Sequence, residues 1–229
     1  VRFIVLVLGT PTPQHLTLTG NRDLRSDELL ALEAGYRVQP TPSFLTDVAA
    51  FVNLYDNLGT FEPGPPHLQP EPPPEHTVVP LVYENLGFGR THGIEVSSVW
   101  QIDEAAEISA AYTWFGIDID REPESRDLGA STAEQFDPDH QLHLRLHVEL
   151  PAGVDADVAY SFVDELPAVR VSECQRLDVR IGWQGGAWSL DAIGHNLLDP
   201  DHLEFGDTVT SAQATRVQRG VYGRVVWRP

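Results

Sequence analysis

The chain contains no lysine and no methionine, and a single cysteine, Cys174, among its 229 residues. One thiol excludes an internal disulfide and any metal cluster built from cysteines. All 15 basic residues are arginine, set against 34 Asp and Glu, so the formal net charge is −19. That balance argues against a nucleic-acid surface, which needs a basic face to displace counterions from phosphates. No run approaches the roughly 20 apolar residues that a membrane helix requires. A closed barrel also satisfies its backbone groups in lipid, and its strands alternate, so a membrane protein of that kind stays open. The apolar run Val1 to Leu8 has one nearby positive charge, Arg2, and no small-residue cleavage site. A strand fits it better than a secretory leader. With no methionine at position 1, the expectation is a segment whose natural N-terminus lies upstream.

What is present is period two. Leu142, Leu144, Leu146, Val148 and Leu150 alternate with Gln141, His143, Arg145, His147 and Glu149. A strand sends alternate side chains to opposite faces, which makes one face wholly aliphatic and the other polar. The pattern recurs with Leu177, Val179, Ile181 and Trp183 against Arg176, Asp178 and Arg180. It recurs again with Leu30, Leu32, Ala34 and Tyr36 against Glu33 and Arg37, and with Ile94, Val96 and Trp100 against Glu95 and Ser97. Nine strands are expected near 28–38, 43–57, 78–102, 106–118, 138–150, 154–165, 171–184, 187–197 and 216–228, with 1–9 a possible tenth.

The connections alternate in length. Short links follow 38, 102, 150 and 184, two of them carrying turn chemistry in Pro151-Ala152-Gly153 and Gly185-Gly186. Long ones are expected at 59–77, 119–137 and 198–215. The aromatic residues Tyr36, Phe44, Trp100, Trp183, Trp188 and Trp227 fall on the short-turn side, as an interfacial girdle would place them. Alternation alone fits a soluble β-sandwich as well as a barrel. Loop asymmetry and the one-sided tryptophan row favour the barrel, with the short turns on the periplasmic side.

Several segments resemble TonB-dependent outer-membrane receptors, in that family's order. They include GNRDLRSDELLALEAGYR from Gly20, FVNLYDNL from Phe51, NLGFGRTHGIEVSSVW from Asn85, AAYTWF from Ala110, DPDHQLHLRLHVELPAG from Asp137, and RGVYGRVVWRP from Arg219. Arg22 stands where proline is usual in the first of these. The resemblance runs from about residue 14 to the end. It implies an all-β fold in which residues 1–229 form an antiparallel up-and-down meander of about nine or ten strands, part of a 22-stranded transmembrane β-barrel and open as given. It further implies uptake of a scarce ligand such as a ferric siderophore, energised through TonB. The plug domain that fills such a barrel, and the box that contacts TonB, are not found in these residues, so both are expected as partners outside them. Outer-membrane lipid and a small-molecule iron chelate complete the expected partners; no cofactor is expected. Family members usually finish on an aromatic residue, whereas this chain ends Trp227-Arg228-Pro229, so slower insertion or a slightly shortened chain is expected. The alternative function is a soluble β-sandwich binding module or a simple porin-like barrel.

Glu33, Arg37, Glu95, His143, Arg145, His147, Glu149, Asp178 and Arg180 are expected to face the lumen. There the pairs Asp178/Arg180, Glu149/Arg145 and Glu33/Arg37 are more simply read as ion pairs than as acid–base machinery. His140, His143 and His147 do not read as a metal site, because four residues along a strand span about 13 Å and the ligands would not converge. The segment Asn85 to Gly93 lacks the glycine spacing of a nucleotide loop, and no catalytic motif is present. Ligand capture is expected on the long loops, at His67, His76, Arg121 and Arg126.

Overall fold

The computed structural model of the chain describes residues 3–7, 13–71, 73–127, 129, 134–199, 201–203 and 216–228. All nine expected strands are present. They are β3 (Glu28–Thr41), β4 (Phe44–Pro63), β6 (His76–Gln101), β7 (Ala106–Arg121), β8 (His140–Leu150), β9 (Val154–Val163), β10 (Cys174–Gly185), β11 (Trp188–His195) and β14 (Gly220–Trp227). The tenth is β1 (Phe3–Val7). Three short strands were not expected: β2 (Gln14–Thr19), β5 (His67–Gln69) and β12 (Asp201–Leu203); the strand expected at 216–228 is divided into β13 (Arg216–Gln218) and β14.

Strands β1 to β11 and β14 hydrogen-bond as one 12-stranded sheet, while β12 and β13 pair separately. From β6 the order runs β7, β8, β9, β10, β11, β14, each strand beside the next, as a meander requires. One pairing breaks the antiparallel rule: β2 runs parallel to β6, from Gln14 against Thr77 to Thr19 against Val82. Among the described residues β14 pairs on one side only, with β11, so the sheet is not closed.

About half of the expected loop at 59–77 is strand. β4 continues to Pro63, β5 occupies His67–Gln69 and β6 begins at His76. The prolines that suggested a loop sit between these strands and at their ends, where a missing N–H does not break a ladder. β7 likewise runs on to Arg121.

The chain divides into two compact units. One comprises Val1–Ala31, Asn53–Thr91 and Ile117–Glu134, and the other Leu32–Val52, His92–Gly116 and Gln135–Pro229. In the second unit the hairpin registers carry the two-face pattern from strand to strand. Leu146 lies opposite Val158 and Ile108, Val158 opposite Val179, and His147 opposite Asp157 and Glu107. Two tight turns fix this register. Pro151–Gly153 joins β8 to β9 with Ala152 at φ 63° and Gly153 at φ 73°, and Gly186 at φ 56° turns β10 into β11. A side chain at Gly153 would collide with the Gln184 carbonyl oxygen as well as strain the backbone.

The aliphatic face covers no second layer. Val78 and Val171 are the buried hydrophobic residues among those described, while Ile181, Val225 and Val221 are 55 %, 65 % and 76 % exposed. A packed sandwich would bury Leu142, Leu144, Leu146, Leu177 and Val179 against another sheet; here Leu144 is 40 % exposed and the others are half-buried. The sandwich alternative therefore does not describe this chain. A soluble monomer seldom exposes an apolar patch beyond about 600 Å², and a face of this kind needs lipid or an equivalent cover.

Candidate functional site

The polar face of the second unit is organised around Arg180 in the middle of β10. Its guanidinium contacts Asp155 and Asp157 on β9, the latter at 2.9 Å, and Asp191 on β11 at 2.6 Å. Asp191, whose side chain is fully buried, also receives Arg224 of β14 at 2.8 Å. Asp157 accepts from Arg145 at 2.8 Å and lies 3.0 Å from Nδ1 of His147, both on β8. One cationic and acidic lattice thus stitches together β8, β9, β10, β11 and β14. Gly182 makes room for it: a Cβ there would fall on the Arg180 guanidinium and the Asp155 carboxylate. Toward the other end of β10, Asp178 pairs with Arg176 at 2.6 Å and with His195 at 3.1 Å, and accepts the Asn196 amide at 2.9 Å.

Beside this lattice the face opens into a groove of about 460 Å³. Ser97, Ser109, Ala111, Ala159 and Ser161 line it, with His143, Arg145, Arg176 and Asp178 among them. Small residues in front of charged ones leave an open concave surface, with apolar as well as polar groups at its wall.

The ion pairs differ from those expected along single strands. Arg180 pairs across strands with Asp155, Asp157 and Asp191, and not with Asp178; Arg145 pairs with Asp157, and not with Glu149; Arg37 pairs with Asp47 at 2.5 Å, and not with Glu33. Directly opposed residues on neighbouring strands have Cβ atoms about 5 Å apart, whereas positions i and i+4 on one strand are about 13 Å apart. Asp155, Asp157 and Asp191 are the residues that sequence reading missed. Their signal was present, because each falls out of phase with the aliphatic positions of its strand, on the polar face. Glu95 and Glu149 are exposed. His147, Asp155 and Asp157 bring ligand atoms within 4.8 Å of one another. Arg180 already sits on both aspartates, supplying the positive charge that a metal would bring.

In the first unit the charged groups sit near strand ends. Glu62 accepts the Ser125 hydroxyl and the Arg126 amide, both at 2.6 Å. Asp127 accepts the Phe61 amide at 2.8 Å and the Gly129 amide at 2.7 Å. These bonds staple the segment after β7 onto the end of β4. Glu62 lies near the far end of a 20-residue strand, well past the roughly ten residues needed to cross a bilayer. Burial opposes its ionisation, but hydrogen bonds from Ser125, Arg126 and Thr60 together with the Arg126 charge outweigh that, and its carboxyl is held below the usual range.

The expected capture residues fall in different settings. His67 is exposed on β5 and Arg126 is exposed in the stapled segment. Arg121 ends β7 half-buried, with Nη1 enclosed and without a partner among the described residues. His76 is not on an open loop: it starts β6 at 2 % exposure, stacked on His15 with ring centroids 4.0 Å apart. Of the expected girdle, Tyr36, Trp100, Trp183, Trp188 and Trp227 are exposed and Phe44 is half-buried. Trp188 and Trp227 lie opposite each other, ring centroids 6.3 Å apart, on strand ends beside the Gly186 turn.

No curated protein matches the chain in sequence. Among solved structures, the siderophore receptor PirA from Acinetobacter baumannii superposes with TM-score 0.65 at 13% identity, over 93% of this chain and 33% of its own. The FrpB iron transporter from Neisseria meningitidis gives 0.65 at 12% identity, over 92% and 32%. The copper transporter OprC gives 0.59 at 14% identity, over 91% and 33%. The chain spans about a third of the length of these relatives, and likeness at such identity speaks for the fold alone. The family profile described as TonB dependent receptor-like, beta-barrel matches residues 8–221. With its alternating strands, meander order and exposed apolar face, the chain belongs to the TonB-dependent receptor-like β-barrel family.

Proposed function

We propose that the chain forms C-terminal strands of an outer-membrane, TonB-energised receptor that imports a ferric siderophore. The observation that carries this reading is the two-faced sheet. An apolar face too exposed for water lies back to back with an ion-paired, grooved face, in a chain of the receptor-like barrel family. On this reading the aliphatic face meets lipid, and Tyr36, Phe44, Trp100, Trp183, Trp188 and Trp227 sit at the periplasmic headgroups. Glu33, Arg37, Glu95, His143, Arg145, His147, Glu149, Asp178 and Arg180 face the lumen and the receptor's plug. Capture of the anionic chelate falls to Arg121, Arg126 and His67, with His76 supporting them from beneath. The role is transport, and the charged lattice is wall structure rather than catalytic machinery.

Two relatives carry iron or siderophore in their names and a third carries copper, so the cargo must be tested directly. The experiment is uptake of radio-iron bound to siderophores by cells carrying or lacking the gene, under iron starvation, with and without a protonophore. Uptake that requires both the gene and the proton-motive force supports the proposal. Gene-dependent uptake insensitive to the protonophore would instead mark a porin-like barrel. No gene-dependent uptake of any ferric siderophore removes the assigned cargo.

A further inference from the structure

Three hydrogen-bond donors without acceptors gather round Asn85 in the first unit. Asn85 itself is occupied. Its side chain accepts the Arg25 N–H at 2.8 Å and donates to the Arg25 carbonyl at 3.1 Å and the Asn57 carbonyl at 2.6 Å. This two-way clip does what a neighbouring strand would do, and it holds the Arg25 backbone against β6. Arg121 comes to the same place from β7. The Glu122 amide donates to the Leu86 carbonyl at 2.8 Å, and Arg90 pairs with Asp118. That register sets Arg121 opposite Gly87, two positions from Asn85 and on its face. Strand spacings put the Arg25 and Arg121 backbones on the order of 10 Å apart, so two long side chains can meet on one ligand. Tyr83 is the third donor, on the same face of β6. Its hydroxyl is laid over Gly59 of β4, where a Cβ would collide with it, and Phe61 braces the ring at a centroid distance of 5.2 Å.

Among the described residues, neither arginine forms an ion pair and the Tyr83 hydroxyl makes no hydrogen bond. Elsewhere Arg37, Arg90, Arg145, Arg180 and Arg224 each take an aspartate. Arg121 is half-buried with Nη1 enclosed, so its charge is neither fully in water nor neutralised. Asp120, its neighbour in β7, points to the other face and accepts the Arg121 backbone amide. Asp23 and Asp27 flank Arg25 but are exposed and unpaired with it. A polar group left unpaired inside a native fold points to a missing partner, and for a guanidinium that partner is an oxyanion.

We propose that Arg25, Arg121 and Tyr83 form a seat for an oxyanion of the cargo, a carboxylate or a catecholate oxygen pair. Asn85 is the positioning residue that holds Arg25 there. Guanidinium forks present flat pairs of N–H groups to flat pairs of oxygens, and the phenol adds a single donor from the side. An uncharged chelate would leave both arginines unpaired, so the seat selects for negative charge. The inference rests on the receptor reading and narrows its cargo to anionic complexes.

The test is equilibrium dialysis of the full gene product in detergent against radio-iron held by citrate, by a tricatecholate or by an uncharged trihydroxamate. At least one anionic complex should bind about tenfold or more tighter than the uncharged one, and the advantage should shrink as salt is raised. Arg25→Gln and Arg121→Gln should each weaken that complex by about tenfold or more and flatten its salt dependence, while Tyr83→Phe should cost about threefold. Asn85→Ala keeps both charges, so affinity should fall with the salt dependence left in place. Arg25 is exposed, so its variant removes charge without threatening the fold. Anionic complexes that bind no tighter than the uncharged one overturn the proposal, as does binding equal in wild type and both arginine variants. Such unchanged binding, alongside uptake that needs the gene and the proton-motive force, removes the seat alone. Binding lost in the variants, with no gene-dependent uptake, keeps the seat and removes the transport reading.

Discussion

At the scale of single residues, ion pairs in this chain differ in worth by their surroundings. Arg37 and Asp47 pair with side chains 74 % and 30 % exposed, where water and salt leave a pair worth under about 1 kcal/mol. Arg180 meets three carboxylates, one of them the fully enclosed Asp191. Removing one partner of a buried pair leaves the other charge unpaired, at about 3–5 kcal/mol. The half-exposed guanidinium and the remaining Arg224 contact bring this to about 2 kcal/mol for Arg180→Leu. Urea unfolding in detergent should therefore place Arg180→Leu clearly below wild type and Arg37→Leu within about 1 kcal/mol of it. Equal losses would refute the ranking. Glu62 makes a pH-dependent contribution of predictable sign. Its carboxyl titrates lower in the folded chain than in the unfolded one, so the stabilisation is complete above the ordinary glutamate range near about 4.3 and is lost as pH falls through the folded value. Hydrogen-exchange protection at the Arg126 amide should fall with acid in wild type. In Glu62→Gln it should start about tenfold lower and stay flat. Protection independent of pH in wild type would remove the staple.

At the scale of elements, the decisive property is which face a side chain occupies. Leu144 points to the exposed aliphatic face and Ser109, one strand away, to the grooved polar face. On the receptor reading, Leu144→Arg should cost about 2–4 kcal/mol of insertion free energy, as cations do near a bilayer midplane, and Ser109→Arg should be tolerated. Folding into lipid vesicles, followed by protease protection, separates the two; equal tolerance would mean that the faces are misassigned. The same periodicity explains what could be read from sequence alone. Nine long strands were legible because Leu142 to Leu150 and Leu177 to Trp183 alternate over enough residues to exclude helical spacing. β5 and β12 have three residues each, too few for any period to show. The prolines of 63–74 read as loop, although the strands run up to them on both sides. Ion-pair partners were illegible for another reason. Register depends on turns such as Pro151–Gly153, and only register tells Arg180 that Asp157 rather than Asp178 is its neighbour.

At the scale of the whole chain, an exposed apolar face sets the conditions for handling it. Diluted from denaturant into buffer it should aggregate, and into detergent micelles or thin-bilayer vesicles it should gain strand content. Far-ultraviolet circular dichroism and sedimentation check this, and a monodisperse, folded chain in plain buffer would contradict the exposed face described here. β4 and β6 carry their own consequence. At 20 and 26 residues they exceed the roughly ten that a bilayer needs, and about half of 59–77 is ladder rather than slack loop. On the receptor reading, what an immune system or a phage meets on such a cell is therefore folded sheet. Its epitopes are assembled from neighbouring strands, and antisera raised against linear peptides from 59–77 should stain denatured blots and leave intact cells blank.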